Sequence, residues 1–336
     1  MNKAQSTKHK EQRIMPLFKN ILFPTDFSPH ARSALKYAAA FARAAQGRVV
    51  LFSVQPGPVP ANLMTLPEHI FEDQDSKWLL DLRREVKALL TDPMFSGLEV
   101  EPVIVEGEPA PEIARAVQEY DIDLVTVVTH GRRGISRAMF GSTAEEIIAE
   151  APCPVLTVRP PQRDFVHHRG EQTEIRLNRI LLATNFRASS IAATNVAREL
   201  MDTSGAEGHV VYVIGDYFEQ ISVMFPEGGK SALTRMRAEV QERMEVFARE
   251  RGREIKAHVA EGRPYAEIVR LAAEIDADLI VIGTTVHASL FGGAPALGSE
   301  IERVVRNASC PVLCVPSGKV VTPLPAFGQA EPVPQT

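Results

Sequence analysis

The residues with the clearest chemical potential lie between positions 127 and 143, in the run VVTHGRRGISRAMFGST. Its glycines allow a turn whose backbone comes close to a ligand. Its last three residues begin a predicted helix, and the free N–H groups and positive dipole end of a helix start suit a phosphate. Arginine adds forked donors that match phosphate oxygens. The candidate phosphate contacts are His130, Gly131, Arg132, Gly141, Ser142 and Thr143.

A carboxylate stands at the end of the first predicted strand, in the run ILFPTDFS that starts at Ile21. Asp26 can accept hydrogen bonds from a ribose hydroxyl or a base amine. Because the carboxyl ends of neighbouring parallel strands form one ligand-binding edge, Asp26 and the glycine loop are expected to lie together. Purely structural roles are the alternatives: a helix cap for Asp26, a plain helix start at Gly141, and a solvated pair of arginines at positions 132–133.

The chain repeats itself. Three blocks recur in the same order, at offsets of 159, 155 and 157 residues: NILFPTDF and RILLATNF, EGEPAPEIARAVQEYDIDLVTV and EGRPYAEIVRLAAEIDADLIVI, and GSTAEEIIAEAPCPVLTV and GSEIERVVRNASCPVLCV. Two copies of this length indicate tandem domains rather than a solenoid, whose repeats are much shorter. We predict domains over 18–160 and 178–316, joined by a polar linker over 161–177, with flexible tails at 1–17 and 317–336.

Each copy alternates strand and helix signals. In the first copy, near-continuously apolar strands are separated by helical patterns over 28–46, about 68–90, 109–120 and 142–149. Apolar strands between amphipathic helices predict an α/β domain, in which helices cover both faces of a parallel sheet. Right-handed crossovers favour a doubly wound sheet of five strands in each domain.

Composition excludes several classes of protein. A formal charge of -5 with a pI near 6.0 provides no field for generic binding to nucleic acid or to an anionic membrane. Three cysteines are too few for a secreted disulfide scaffold, and they lack the spacing of a zinc site, so no metal site is predicted. The polar, cationic amino terminus does not have the pattern of a signal peptide. These features predict a cytoplasmic protein.

At the repeated blocks the sequence resembles the universal stress protein family in its tandem two-domain form. The blocks that carry this resemblance are ILxPTDFS, EGxPxxxI, DxDLxxV, the glycine loop and CPVLxV. The resemblance implies the adenine-nucleotide α-hydrolase-like fold, with strand order 3-2-1-4-5 in each domain. It also implies ATP binding, with or without Mg²⁺, by a loop of the form Gly-x2-Gly-x9-Gly-Ser/Thr.

The first copy keeps most of this family pattern. The resemblance places adenine near the end of the first strand, at Pro24, Thr25 and Asp26, with a backbone contact at Val54. The departure is Val128, which stands at the first glycine of the loop. A β-branched residue does not readily adopt a positive φ, and its side chain fills space that glycine leaves to a nucleotide.

The second copy departs further, so a weaker second site is expected there. Asparagine replaces the aspartate, valine replaces the second glycine of the loop, and two extra residues precede the helix start. A hydroxyl at a helix start stabilises the helix without any ligand. The residues of this candidate site are Thr184, Asn185, Gly283, Gly298 and Ser299.

No motif of an efficient hydrolase is present. The resemblance implies an adenine-nucleotide-binding module of the stress response, which acts by binding and by contact with an unknown protein partner. The alternatives are a nucleotide-free interaction scaffold and a weak ATP hydrolase. Single-domain members of the family pair through their last strand, so the runs VLTV and VLCV are expected to form either an intramolecular pseudo-dimer or a homodimer.

Overall fold

The computed structural model describes residues 17–71, 76–129, 141–160, 162–169, 172–215, 226–249, 255–284, 286–287 and 296–317. Domain 1 contributes five strands to the described part: β1 (Asn20–Pro24), β2 (Arg48–Gln55), β3 (Glu99–Glu106), β4 (Leu124–Val128) and β5 (Val155–Val158). Its α-helices there are α1 (Arg32–Ala45), α2 (Lys77–Leu90), α3 (Pro109–Glu119) and α4 (Ser142–Glu150).

The segment between the two copies forms an antiparallel hairpin of β6 (Val166–Arg169) and β7 (Gln172–Ile175). The strands of domain 2 are β8 (Arg179–Ala183), β9 (Glu207–Gly215), β10 (Ile255–Gly262), β11 (Leu279–Thr284), β12 (Val286–His287), β13 (Ala296–Leu297) and β14 (Val312–Pro316). Its helices are α5 (Ala188–Ser204), α6 (Pro226–Arg249), α7 (Pro264–Glu274) and α8 (Ser299–Asn307).

Ten strands form one continuous sheet, in the order β10-β9-β8-β11-β14-β5-β4-β1-β2-β3. Each half has the predicted order 3-2-1-4-5 with parallel neighbours, while β5 and β14 pair antiparallel. Leu156 lies opposite Leu313, its own counterpart at an offset of 157. The two domains are therefore related by a pseudo-two-fold axis through this pair, as expected for the intramolecular arrangement.

Two apolar layers cover the sheet. One layer contains α1, α2, α5 and α6, and the other contains α3, α4, α7 and α8. The central strands are buried on both faces, as their continuous apolar runs predict. Because β1 has β2 on one side and β4 on the other, and the chain leaves these strands toward opposite layers, the carboxyl end of β1 is a topological switch point. The same holds for β8 in domain 2.

The predicted polar linker contains more structure than its composition indicates. Phe165 has no exposed surface, and its ring packs edge-on against Tyr37 of α1 with centroids 5.0 Å apart. Lys36 of α1 pairs with Asp164, the residue before it. The segment from Arg163 to Leu177 is therefore a strap that covers α1, and below it is called the strap.

Two helix boundaries differ from the predicted ones. The first helix begins at Arg32 rather than Ser28, whose hydroxyl instead accepts a hydrogen bond from the Ala31 N–H at 3.2 Å. The pattern over 68–90 divides into a 3-10 turn, Glu68–Phe71, and α2. No helix in the described part of the chain combines the length and the apolar composition that crossing a bilayer requires.

Candidate functional site

The carboxyl end of β1 carries the predicted aspartate. Asp26 is exposed, and its Oδ1 accepts a hydrogen bond from the Ser28 N–H at 2.9 Å. Thr25 is buried; its N–H donates to the Phe52 carbonyl at 2.9 Å, and its hydroxyl accepts from the Phe27 N–H at 2.9 Å. Asp26 thus stabilises its own turn, in partial agreement with the structural alternative of a helix cap. Its carboxylate is nevertheless exposed at the edge of the sheet.

The start of α4 is held at the end of the neighbouring strand β4. The Gly141 N–H donates to the Thr129 carbonyl at 3.0 Å, and the Thr129 N–H donates to the Val158 carbonyl at 3.1 Å. Gly141 is extended, and no side chain caps the helix. Ser142 and Thr143 are exposed in the first turn. The first N–H groups of α4 and two hydroxyls are therefore available to an anion at this edge.

The other predicted residues of domain 1 occupy the same edge or lie outside the described residues. Pro24 ends β1, Val54 lies one residue before the end of β2, and Val128 ends β4. Val128 is half-buried and packs against the apolar layer that contains α1. Three of the predicted contacts fall in the undescribed segment 130–140: His130, Gly131 and Arg132.

In domain 2 the residue that replaces the aspartate is committed to its own loop. The Asn185 Oδ1 accepts from the Ser190 hydroxyl at 2.7 Å and from the Arg187 N–H at 3.0 Å. Its own N–H donates back to the Ser190 hydroxyl at 3.1 Å. Thr184 is buried, and its hydroxyl accepts from the Phe186 N–H at 3.2 Å. Both polar side chains of this strand end therefore satisfy local backbone.

The glycine of domain 2 has a packing role. A Cβ at Gly283 would lie 2.2 Å from the Ser189 carbonyl oxygen, because the first turn of α5 lies directly against β11. At the offset of 159, α5 starts three residues earlier than α1, since Ala188 corresponds to Pro29. In domain 2 the backbone at the start of α5 thus lies against the end of β11. In domain 1 the position equivalent to Gly283 is Val128, at the end of β4.

The segment that precedes the predicted helix start of domain 2 also differs from that of domain 1. Val286 pairs with Leu297 in the short β12–β13 ladder, which leads directly into α8. Gly298 is extended and Ser299 begins the helix, exposed and without a side-chain cap before it. The structure therefore places Gly298 and Ser299 at a helix start, as predicted, next to a strand end that is packed against α5.

Comparison with known proteins identifies the family. The sequence profile of the universal stress protein family matches residues 17–159 and 176–316. The chain belongs to this family. A universal stress protein from Thermus aquaticus is 34% identical over 146 residues, which are 43% of this chain and 100% of that protein. The universal stress protein E homolog of Haemophilus influenzae is 26% identical over 227 residues, 65% of this chain and 69% of its own.

A solved structure supports the fold of this universal stress protein. The crystal structure of a universal stress protein from Archaeoglobus fulgidus superposes with a TM-score of 0.60 at 21% identity. The superposition covers 89% of this chain and 98% of that one. Both domains and their side-by-side arrangement thus have a counterpart among solved members of the family.

Acidic side chains of α4 and α8 lie near each other close to the domain junction. Burial raises the pKa of Glu145, in the first turn of α4, and the charge of Glu302, its counterpart on α8, raises it further. Arg306 opposes this effect and pairs with Glu302. Among the described residues, no cluster of three or more His, Cys, Asp or Glu has metal-binding geometry.

The three cysteines are packing residues. Cys153 and Cys310 are each 1% exposed, and so is Cys314. Burial raises the pKa of the Cys310 thiol to about 12, and that of Cys314 to about 12 as well. These thiols therefore remain protonated and unreactive at neutral pH.

Two features of this universal stress protein were not anticipated from the sequence. One is the docking of Arg163 and Phe165 in the strap, for which the only sequence signal is an aromatic residue within a polar segment. The other is a histidine pair on β9 and β10, in which His209 is buried and His258 is half-buried. Its signal is a histidine inside an otherwise apolar strand, a position where domain 1 has valine.

Proposed function

We propose that domain 1 binds an adenine nucleotide, ATP in particular, at the edge between β1 and β4. The observation that carries the proposal is the Gly141–Thr129 hydrogen bond of 3.0 Å, which holds the uncapped start of α4 beside the strand that neighbours Asp26. Phosphates would accept hydrogen bonds from the first turn of α4, and Asp26 would accept from the ribose or the base. A bound Mg²⁺ would take most of its ligands from phosphate and water.

The packing of Val128 supports this proposal. Its side chain packs against the apolar layer that contains α1, the helix that starts three residues later than its counterpart α5. We therefore expect the valine to leave the edge above Asp26 accessible to a nucleotide. The expected consequence is a modest loss of affinity relative to glycine, because one close backbone approach is restricted.

The proposal assigns the nucleotide to domain 1 alone. Asn185 is held by Ser190, and the backbone of Ser189 fills the space beside Gly283. A purine nucleotide at that edge would have to displace the first turn of α5 and break these hydrogen bonds. Domain 2 would instead act as a structural partner, and the whole protein as a nucleotide-responsive module that contacts other proteins in the stress response.

The test compares matched variants in the two domains. Isothermal titration with Mg-ATP is expected to give one site per chain, and protein purified without added nucleotide should release ATP or ADP on denaturation. Asp26→Ala and Gly141→Val should each weaken binding at least about tenfold, the loss of roughly one charge-assisted hydrogen bond or of the helix-start contacts. The equivalent changes in domain 2, Asn185→Ala and Gly298→Val, should leave affinity and stoichiometry unchanged.

Two results would contradict the proposal. One is the absence of saturation at millimolar Mg-ATP in folded protein, which would favour a nucleotide-free scaffold. The other is a loss of binding in the Asn185 or Gly298 variants with none in the domain 1 variants. Circular dichroism of each variant separates loss of the site from loss of the fold.

A further inference from the structure

The strap fills a cleft between α1 and the amino edge of domain 2. The Arg163 guanidinium donates from Nε to the Asp278 Oδ1 at 2.8 Å and lies 3.1 Å from the Asp276 Oδ1. Phe165, two residues later, packs against Tyr37 and Phe41 of α1 with no exposed surface. The cleft thus holds an arginine and an aromatic ring separated by one residue.

The pseudo-two-fold axis generates a second, equivalent cleft between α5 and the amino edge of domain 1. There the structure contains a cavity of about 190 Å³. Its lining includes Phe18, Asp121, Asp123 and Cys153 of domain 1 and Asn195 of α5. A cavity of about 150 Å³ is large enough for a benzene ring, so this volume accommodates an aromatic side chain.

The acidic residues of the two clefts have the same geometry. Asp121 corresponds to Asp276 at the offset of 155, and the two residues have φ of 50° and 51°. Asp123 corresponds to Asp278, and one carboxylate oxygen of each accepts two backbone N–H groups, at 2.9 and 3.0 Å in domain 1 and 2.7 and 3.0 Å in domain 2. The cavity is therefore a second copy of a guanidinium site.

The two clefts differ in whether an arginine pairs with the carboxylates. In domain 2 the second oxygen of Asp278 receives Arg163, whereas in the described part of the chain no residue donates to the second oxygen of Asp123. Asp121 likewise forms no ion pair with any described residue, while Asp276 pairs with Arg163 and lies 3.7 Å from Arg179. Two carboxylates in the site lack the cation that their counterparts bind.

The face of α5 toward the cavity is also incompletely satisfied. Asn195 and Glu199 lie one turn apart, and both line the cavity. Both amide atoms of Asn195 are buried with no hydrogen-bond partner among the described residues, which costs free energy unless a ligand or water supplies one. Burial raises the pKa of the Glu199 carboxyl, and the charge of Asp202 adds to this. The equivalent positions on α1 are Lys36, which pairs with the strap, and Ala40.

We propose that this cavity binds a segment of a partner polypeptide with the pattern Arg-x-aromatic, whose guanidinium pairs with Asp121 and Asp123 and whose ring enters the cavity. The intervening residue differs from that of the strap. It faces Asn195 and Glu199 instead of Lys36, so a lysine there is favoured over the aspartate of the strap. The chain's own residues 318–336 contain no arginine, and Arg13 is followed two positions later by a methionine, so neither terminal segment has the pattern.

The test peptide is designed from the sequence of the strap. Residues 162–166 read QRDFV, and the test peptide is acetylated and amidated QRKFV, titrated into the full-length chain by calorimetry. One site per chain is expected, with affinity lowered at least about tenfold for QAKFV and for QRKAV. QRDFV should bind more weakly than QRKFV, and Glu199→Gln should reduce that difference.

Variants of the chain locate the site. Asp121→Asn and Asp123→Asn should each weaken QRKFV binding several-fold or more, and the exposed position of Asp121 makes its variant safe for the fold. The matched control is Asp276→Asn, which alters the occupied copy and should leave peptide binding unchanged. Chemical shifts of the Asn195 side-chain amide should move on titration.

Three outcomes would overturn the proposal. The first is no saturation at millimolar QRKFV, and the second is equal binding by the wild type and both domain 1 variants. The third is binding that requires removal of residues 1–16 or the change Arg13→Ala, which would show that the chain's own amino terminus fills the cavity. Nucleotide titration of the same variants keeps this result separate from the site above Asp26.

Discussion

Leu156 and Leu313 lie opposite each other across the antiparallel pair of β5 and β14, although they occupy the same position in the two copies. Pairing of a residue with its own counterpart places the pseudo-two-fold axis at the centre of the sheet. Antiparallel pairing also brings the carboxyl edge of domain 1 to the same side as the amino edge of domain 2. The chain leaving β5 therefore reaches the start of β8 within a short strap, and no long crossover is needed.

A buried hydroxyl strengthens this junction, and its removal should be measurable. The Thr157 hydroxyl donates to the Val312 carbonyl across the junction at 3.0 Å, at 2% exposure. Thr157→Val keeps the shape and deletes the hydrogen bond, so the free energy of unfolding is expected to fall by about 1 kcal/mol. Urea denaturation followed by circular dichroism measures this change.

The chain contains a matched control for that variant. Thr126 on β4 is fully buried, and its hydroxyl has no hydrogen-bond partner in the described structure. Thr126→Val should leave the free energy of unfolding unchanged or raise it, because a desolvated hydroxyl without a partner is unfavourable. Equal losses in both variants would show that the β-branched shape, and not the hydrogen bond, dominates at Thr157.

Gly283 should tolerate no side chain. Its Cβ would lie 2.2 Å from the Ser189 carbonyl oxygen, a rigid part of the helix backbone. Gly283→Ala must displace the start of α5, with an expected loss of about 1–3 kcal/mol in the free energy of unfolding. Gly215→Ala is the control, since no atom of the described residues lies within 4 Å of a Cβ there. Similar thermal midpoints for the two variants would contradict the packing role.

The strap should contribute to the stability of the whole chain. Phe165→Ala removes a fully buried ring from the interface with α1 and should cost about 3–5 kcal/mol. Arg163→Ala leaves one oxygen of the buried Asp278 without its donor and should cost about 1–3 kcal/mol. The exposed pair Arg176–Glu174 is the comparison, and Arg176→Ala is expected to change stability by less than about 1 kcal/mol. Thermal unfolding of the three variants measures the order of these losses in stability.

The repeat and the apolar periodicity predicted two α/β domains with helices on both faces of a parallel sheet. The strand order 3-2-1-4-5 and the pairing through the last strands were implied by the family resemblance. The strap was missed because its burial depends on α1 and on Asp278, which are distant in sequence. A polar segment with a single aromatic residue has no local pattern that predicts docking.

The positions of the candidate site residues in the fold were also partly predictable from the sequence. Sequence placed Asp26 and Gly141 at one edge of the sheet, and in the structure they follow β1 and precede α4 at that edge; that they bind a nucleotide stays a prediction. The earlier start of α5 was not foreseen, because the two loops before α1 and α5 align without a gap and differ only in hydrogen bonds, such as Ser190 to Asn185. The weaker second site stays a prediction, and the helix backbone beside Gly283 adds a physical reason for it that the sequence did not provide.

The histidine pair should make the stability of domain 2 depend on pH. The His209 Nδ1 and the His258 Nε2 are 3.0 Å apart, and their rings stack at an interplanar angle of 11°. Burial lowers the pKa of both, and the charge of His258 lowers that of His209 further. The charged groups that act on the pair are Glu207 on β9, Lys256 on β10 and Glu274 on α7.

The direction in which stability changes with pH follows from proton linkage. With pKa values below the unfolded value of about 6.5, the folded pair binds fewer protons than the unfolded chain. Stability is therefore fully present above about pH 7 and is lost as pH falls from about 6.5 through the lowered folded values, by at most about 1.4 kcal/mol per pH unit for each histidine. Urea midpoints between pH 8 and pH 5 measure this slope.

Domain 1 provides the variant that tests the source of the slope. Val50 and Val103 occupy the positions equivalent to His209 and His258, so the change His209→Val with His258→Val reproduces a pair that this fold already accommodates. The double variant should reduce the slope between pH 7 and pH 5, and His30→Gln, an exposed control, should retain it. An unchanged slope in the double variant would assign the pH dependence to other groups. Glu145 is not one of them, because burial raises its pKa and a raised carboxyl pKa stabilises the folded state as pH falls, which is the opposite direction.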